Sequence, residues 1–186
     1  MLALALYLMP GEGLAQTADL AQRLTTCGAC HGVDGNAQLP NIPSLAGQPS
    51  VFLENQLVLI REGIREIAAK GNVLAGVADR EITALARHYA NQKVKSPPLA
   101  RDVALFARGQ LVSEQRRCGT CHLSNYAGRD QMPRLAAQRE DFLLHSMREF
   151  AANRATGRDT IMAATLYGLD DGDLVALAHY LSRIGP

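Results

Sequence analysis

Cys27-Gly28-Ala29-Cys30-His31 and Cys118-Gly119-Thr120-Cys121-His122 are one five-residue pattern written twice, 91 positions apart. Each puts two thiols one helical turn apart on one face, with an imidazole directly after them. Other features recur at nearly the same spacing. Pro43-Ser44-Leu45-Ala46-Gly47-Gln48 matches Pro133-Arg134-Leu135-Ala136-Ala137-Gln138 at 90, and Phe52-Leu53 matches Phe142-Leu143 at 90. The stretch from Gly76 to Ala86 matches Gly168 to Ala178 at 92. A drift of one or two residues over such an offset marks a duplicated unit with trivial insertions. The joint, Asn91 to Leu99 (NQKVKSPPL), is polar and ends near a Pro pair, as an extended linker does. The expected division is residues 16–94 and residues 95–186.

The composition bounds what such a repeat can be. Of 186 residues, 47% are apolar, which is enough for a core. The chain has 5 Tyr, 4 Phe and no Trp, so its cores are filled by Leu, Ala and Val, or by something that is not an amino acid. The net charge of +1 argues against a nucleic-acid footprint. Charge is balanced in each half: 8 Lys/Arg against 7 Asp/Glu from Gln16 to Lys95, and 11 against 10 from Ser96 to Pro186. No apolar run reaches the roughly 18–20 residues that span a bilayer. No nucleophile–base pair, phosphate loop or carboxylate dyad presents a catalytic signature.

Residues 1–15 read as a signal peptide. An apolar stretch from Met1 to Met9 is followed by Gly13-Leu14-Ala15, with small residues at both cleavage positions. Export implies an oxidising compartment, where a bare C-x-x-C pair oxidises unless something else claims it.

The remaining pattern is helical in both units. Leu20 and Leu24 stand four apart after a Thr17 cap, and Val103, Phe106 and Gln110 follow Asp102. Middle helices are expected over Val51–Glu62 and Asp141–Ala152. The last helices start at Asp79, with Ile82, Leu85, Ala86 and Tyr89 on one stripe, and near Asp170 or Asp171, with Leu174, Leu177, Ala178 and Leu181. No stretch alternates with period two, so the expected fold class is all-α. The Gly- and Pro-rich loops after each His are long for turns, and such loops in small domains wrap something.

The C-x-x-C-H pattern suits covalent attachment of a haem through two thioethers, with His31 and His122 as proximal iron ligands. A structural zinc pooling the four thiols, or a pair of disulfides, accounts for neither the histidines nor the duplication. A buried porphyrin also supplies apolar bulk that units of about 80 residues lack. The expected cofactors are therefore two haem c groups, held by Cys27, Cys30, Cys118 and Cys121.

With C-G-A-C-H-G-V-D-G-N followed by N-I-P-S-L-A-G-Q, the chain from about Gln16 to its C-terminus resembles the cytochrome c4 type. These are periplasmic class I cytochromes with tandem mono-haem domains. The resemblance implies that the carbonyls of Pro43 and Pro133 accept the Nδ1–H of His31 and His122, which orients the rings. It places the Arg65 and Arg154 regions near haem propionates, against the alternative of solvated helix ends. It implies a Met thioether opposite each histidine, a soft ligand that favours Fe(II).

In the second half that Met is Met162, since Met132 sits beside Pro133 and Met147 is a core filler on the middle helix. The first half departs from the family, because no Met lies between Cys27 and Cys118. Alignment of the last helices puts Lys70 at the position of Met162. Four readings stay open: ligation by the Lys70 amine, by Asn72 through a water, by His88, or an open site. His145 and His179 read as structural. Without sulfur, haem one is expected to have the lower potential.

The leading expectation is electron transfer in the periplasm, from a donor dehydrogenase or cytochrome bc1-type complex to an oxidase or reductase of a respiratory chain. Docking is expected through an apolar haem edge, with no nucleic-acid partner and at most peripheral membrane association. Two alternatives stand beside it. One is a redox enzyme with an open or Lys-labile first haem, and the other is a cytochrome subunit of a dehydrogenase.

Overall fold

Leu20 and Leu24 lie on α1 (Glu12–His31), the first helix of the computed structural model, which describes residues 12–96 and 100–185. Residues 1–11, most of the expected signal segment, lie outside that description, as do the linker residues 97–99. Thr17 is not a cap, because the backbone is already helical from Glu12. Helix α1 runs without interruption into the first C-x-x-C-H.

The second unit begins differently. Helix α4 (Val103–Gln115) starts at Asp102, whose carboxylate accepts the Leu105 N–H at 2.9 Å, a side-chain N-cap. The helix then breaks at Arg117, which is left-handed with φ +55°, and Cys118–His122 form a short helix of their own, α5. The same pattern thus ends a long helix in one half and makes a separate turn in the other.

The remaining helices follow the expected stripes. They are α2 (Ser50–Arg61), α3 (Asp79–Ala90), α6 (Glu140–Ala151) and α8 (Asp171–Arg183). The α3 end is closed by Glu81, which accepts the Ala78 N–H at 2.9 Å, and the α8 end by Asp170, which accepts the Asp173 N–H at 2.7 Å. Two elements escaped the periodicity. One is α7 (Thr160–Leu166), capped by Asp159 through the Ile161 N–H at 2.8 Å; the other is a 3-10 turn over Ala68–Lys70. Both are too short for a helical stripe to register. No strand occurs among the described residues, and none of their helices is long and apolar enough to cross a membrane.

The two halves pack unequally. In the second, α4 crosses α8 in close contact at Gly109, where an added Cβ would stand 2.0 Å from the Ala176 carbonyl oxygen. One continuous core gathers Val112, Leu143, Met147, Leu174, Leu177 and Leu181. In the first half most of the buried apolar residues fall into two small groups, Leu53–Ala86–Tyr89 and Leu74–Val77–Ile82.

Between the halves runs a polar seam with approximate two-fold character. Gln48 Nε2–H donates to the Arg134 carbonyl at 3.0 Å, while Arg134 N–H donates to Gln48 Oε1 at 2.9 Å. Gln138 and Ser44 repeat this exchange, 90 positions on for the glutamine and 90 back for its partner. The reciprocity is that of an isologous interface, here made within one chain. Each glutamine is nearly inaccessible, and a buried amide bonded through both its oxygen and its nitrogen fixes register as well as contributing stability.

Candidate functional site

Each Pro-x-Leu-Ala loop folds back so that its first carbonyl faces the histidine of the C-x-x-C-H. His31 Nδ1 lies 2.8 Å from the Pro43 oxygen, and His122 Nδ1 lies 2.8 Å from the Pro133 oxygen. A carbonyl only accepts, so Nδ1 carries the proton and Nε2 is left with its lone pair. Burial pushes the His31 pKa down to about 4, against a smaller upward pull from the Pro43 bond and a further downward push from Lys70. His122 is lowered by burial in the same way, opposed by its bond to Pro133. Both imidazoles are therefore neutral near pH 7, the state in which a ring nitrogen ligates a metal.

The two Nε2 atoms meet different surroundings. His122 Nε2 is buried and has no hydrogen-bond partner. A buried polar atom without a partner costs about 1–3 kcal/mol, so its lone pair is aimed at something the protein atoms do not supply. His31 Nε2 faces Lys70 Nζ at 3.5 Å. Burial lowers the Lys70 pKa, partly opposed by the Cys27 thiol and reinforced by Arg65.

His31 opens onto a cleft of about 760 Å³ between the halves, with Cys27, Cys30, Pro43, Arg65 and Lys70 on its walls. That is the size range of cofactor pockets. The four cysteines are free thiols, with Cys30 and Cys121 exposed and Cys27 and Cys118 half-buried. Burial raises the Cys27 pKa against the lowering effect of Lys70 and Arg23, and it raises the Cys118 pKa against a hydrogen bond from Ser113.

The far side of the cleft belongs to the second half. Phe142, His145, Ser146 and Glu149 come from α6, and Arg154 and Arg158 from the loop after it. That loop touches the first half at Gly157, whose φ is +67° and where a Cβ would stand 2.3 Å from the Ile64 carbonyl oxygen. The contact sets Arg158 beside Arg65. Burial lowers the Arg65 pKa to about 10, with a further downward push from Arg158. Neither has a carboxylate partner among the described residues. Arg65 donates to Gln56, and Arg158 sits 4.3 Å from the Phe150 ring centroid. Arg154 also lines the cleft, but it is largely exposed and its guanidinium is held by Glu149 at 2.8 Å. Arg158 escaped the sequence reading because the signal for it, an unpaired cation facing another half's cavity, exists only after folding.

In the second half, Met162 lies on α7 and packs, with Cys118, against the core that contains Met147. Met132 lies in the turn whose Met132 N–H donates to the Arg129 carbonyl at 2.7 Å. Asn72 and His88 do not line the cleft at His31. Asn72 is exposed, and His88 stands 3.3 Å from Gln92 Nε2. His179 is buried between the Asp102 N–H, which donates to its Nε2 at 3.0 Å, and Glu140. His145 is exposed on α6.

The residues present fit a haem in each half: a thiol pair, an oriented neutral imidazole with Nε2 directed inward, and in the first half a cleft with unpaired cations. Comparison with known proteins agrees. The family model described as Cytochrome c matches residues 106–184. The chain is 30% identical to cytochrome c4 of Pseudomonas aeruginosa and 32% identical to cytochrome c4 of Stutzerimonas stutzeri, covering 92% of both chains in each case. The structure of reduced recombinant cytochrome c4 from Pseudomonas stutzeri superposes with a TM-score of 0.81 at 29% identity, over 94% of this chain and 100% of that one.

Proposed function

The chain belongs to the cytochrome c4 family, and on that premise we propose that it is a periplasmic two-haem carrier of single electrons. The observation that carries this reading is the paired proximal arrangement. Two neutral imidazoles, 91 residues apart, are each tied through Nδ1–H to a prolyl carbonyl 2.8 Å away, each at the end of a C-x-x-C. Haem c supplies the one-electron iron couple. The protein's part is to attach, orient and bias it.

Cys27 and Cys30, and Cys118 and Cys121, hold a macrocycle by thioether bonds beside each histidine. Pro43 and Pro133 keep Nδ1 protonated and the rings fixed, which raises the basicity of Nε2. Met162 is the sulfur ligand of the second half, and the first half works without a Met. Arg65 and Arg158 supply a pair of positive charges for the propionate carboxylates of the first haem, one from each half. Arg154, already paired with Glu149, contributes less. Residues 16–94 and 95–186 act as the two haem domains.

Neither half carries a strong net charge, so encounter with partners relies on modest steering and on apolar contact at the haem edges. Val33, just after His31, is 88% exposed, and Ile161 and Tyr167 on and after α7 are 65% and 78% exposed. The donor is a dehydrogenase or bc1-type complex and the acceptor an oxidase or reductase.

The test is direct. Mature protein from a periplasmic fraction should carry the mass of two covalently bound haems. It should titrate in two one-electron steps and exchange electrons rapidly with a small redox protein. Colourless protein, or a mass equal to the bare polypeptide, would falsify the reading.

A further inference from the structure

Lys70 is placed where a metal ligand has to be. Its amine faces the lone-pair nitrogen of His31 at 3.5 Å, across 39 residues of sequence. Two metal–nitrogen bonds of about 2 Å each set opposed ligands about 4 Å apart. The observed pair needs only a small outward shift to admit an iron between them. Among the described residues half-buried Lys70 has no carboxylate partner, and its amine has His31 as its neighbour.

Its loop is built to hold that aim. Lys70 ends the 3-10 turn, its N–H donates to the Ile67 carbonyl at 2.8 Å, and its own carbonyl accepts the Val73 N–H at 3.1 Å. The Val73 carbonyl in turn accepts from Arg23 on α1 at 3.3 Å, tying the loop to the helix that carries the thiols.

The rivals are placed elsewhere. Asn72 is exposed and His88 is engaged with Gln92, and neither lines the cleft. None of the five methionines lies between Cys27 and Cys118, and Met147 and Met162 both pack in the second half.

We propose that the Lys70 amine is the distal axial ligand of the first-half iron, opposite His31. The inference rests on the two-haem reading above. As the iron–nitrogen bond forms, the amine binds as its neutral form and the ammonium proton passes to water. The first iron then has two nitrogen ligands and the second a nitrogen and a sulfur. Amine nitrogen is harder than thioether sulfur and favours Fe(III), so the first haem has the lower potential. The family's paired Met ligation is replaced here by a built-in asymmetry.

The experiment is electron paramagnetic resonance of the oxidised holoprotein at low temperature, with near-infrared magnetic circular dichroism, on wild type, Lys70→Ala and Lys70→Met. Wild type should show two distinct low-spin irons, one with an amine–imidazole signature and one with thioether–imidazole. Lys70→Ala should convert one iron to high spin and gain one carbon monoxide site per chain in the reduced state. Lys70→Met should give two thioether signatures and raise only the lower of the two potentials. A high-spin first iron in wild type, or an unchanged spectrum in Lys70→Ala, overturns the assignment. Should Lys70→Ala fail to mature, wild type and Lys70→Met decide alone: a thioether signature gained at the expense of the amine one supports Lys70, and any other result removes it. Two haems by mass with a failed Lys70 test leave the carrier reading standing; absence of haem removes both.

Discussion

Ser44 and Gln138 bond each other twice across the seam. Ser44 N–H donates to Gln138 Oε1 at 2.8 Å, and Gln138 Nε2–H donates to the Ser44 carbonyl at 2.9 Å. The residue before Ser44 is Pro43, whose carbonyl holds His31. One short loop thus positions the C-x-x-C-H histidine of its own half and locks the other half in place. Gln48 and Arg134, next to Pro133, do the same in mirror sense.

Replacing Gln138 by Ala leaves the Ser44 and Arg139 N–H groups without their acceptor in a buried place. With about 1–3 kcal/mol for each buried group left unpaired, the expected loss is about 3 kcal/mol. Gln48→Ala should cost a comparable amount, and the double variant less than the sum, because both pairs close one interface. Equilibrium denaturation of the holoprotein measures this. A loss under about 0.5 kcal/mol in both single variants, the range of an ordinary surface change, would show that water repairs the seam.

Arg158→Gln should lower the potential of the first haem and leave the second unchanged, since removal of a nearby cation favours the ferric state. A partly screened charge contributes about 1 kcal/mol, or roughly 40 mV for a one-electron couple. Arg154→Gln should do much less, because Glu149 already neutralises that guanidinium. Redox titration of both variants separates the two arginines, and equal shifts would remove the special role of Arg158.

Met162→Ala should open the second iron. The expected outcome is a lower second-haem potential, loss of the thioether signature and a new site for carbon monoxide, with the first haem unaffected. Retention of the signature in this variant would assign the sulfur to Met132 or Met147.

Asp141 gives the seam a dependence on acid. Burial by itself raises its pKa, but the Arg139 guanidinium and the N–H groups of Asn41 and Phe142 more than offset this, so the folded value lies below the ordinary one. A depressed carboxylate stabilises the fold fully above its unfolded pKa, near 4, and that contribution is lost as the pH falls through the lower folded value. Asp141→Asn should therefore lower stability by a constant amount at neutral pH and flatten the acid limb below about pH 4, where the two curves converge. Urea unfolding at a series of pH values checks it, and an acid limb identical to wild type would contradict it.

Much of this architecture was legible locally. The helices α2, α3, α6 and α8 begin within a residue of where the sequence put them, α2 and α6 because they follow the two Pro-x-Leu-Ala loops, α3 and α8 because an apolar stripe behind an acidic first turn is a short-range signal. Thr17 misled because a hydroxyl beside an apolar stripe looks the same whether the helix starts there or has already begun. Helix α7 was missed because seven residues hold too little of a stripe, although Asp159 marked its start.

The sequence by itself determined the two thiol–imidazole units, their duplication and the helical class. Those depend on residues within a turn or two of each other, where backbone geometry dictates which side chains meet. It also singled out Lys70 by what the first half lacks. Only the tertiary structure decided that Lys70 faces His31 and that Arg158 of one half stands beside Arg65 of the other. It alone showed the exchange of glutamine bonds between the halves. Such contacts join residues 39 to about 100 positions apart, and no local pattern encodes a meeting that packing alone creates.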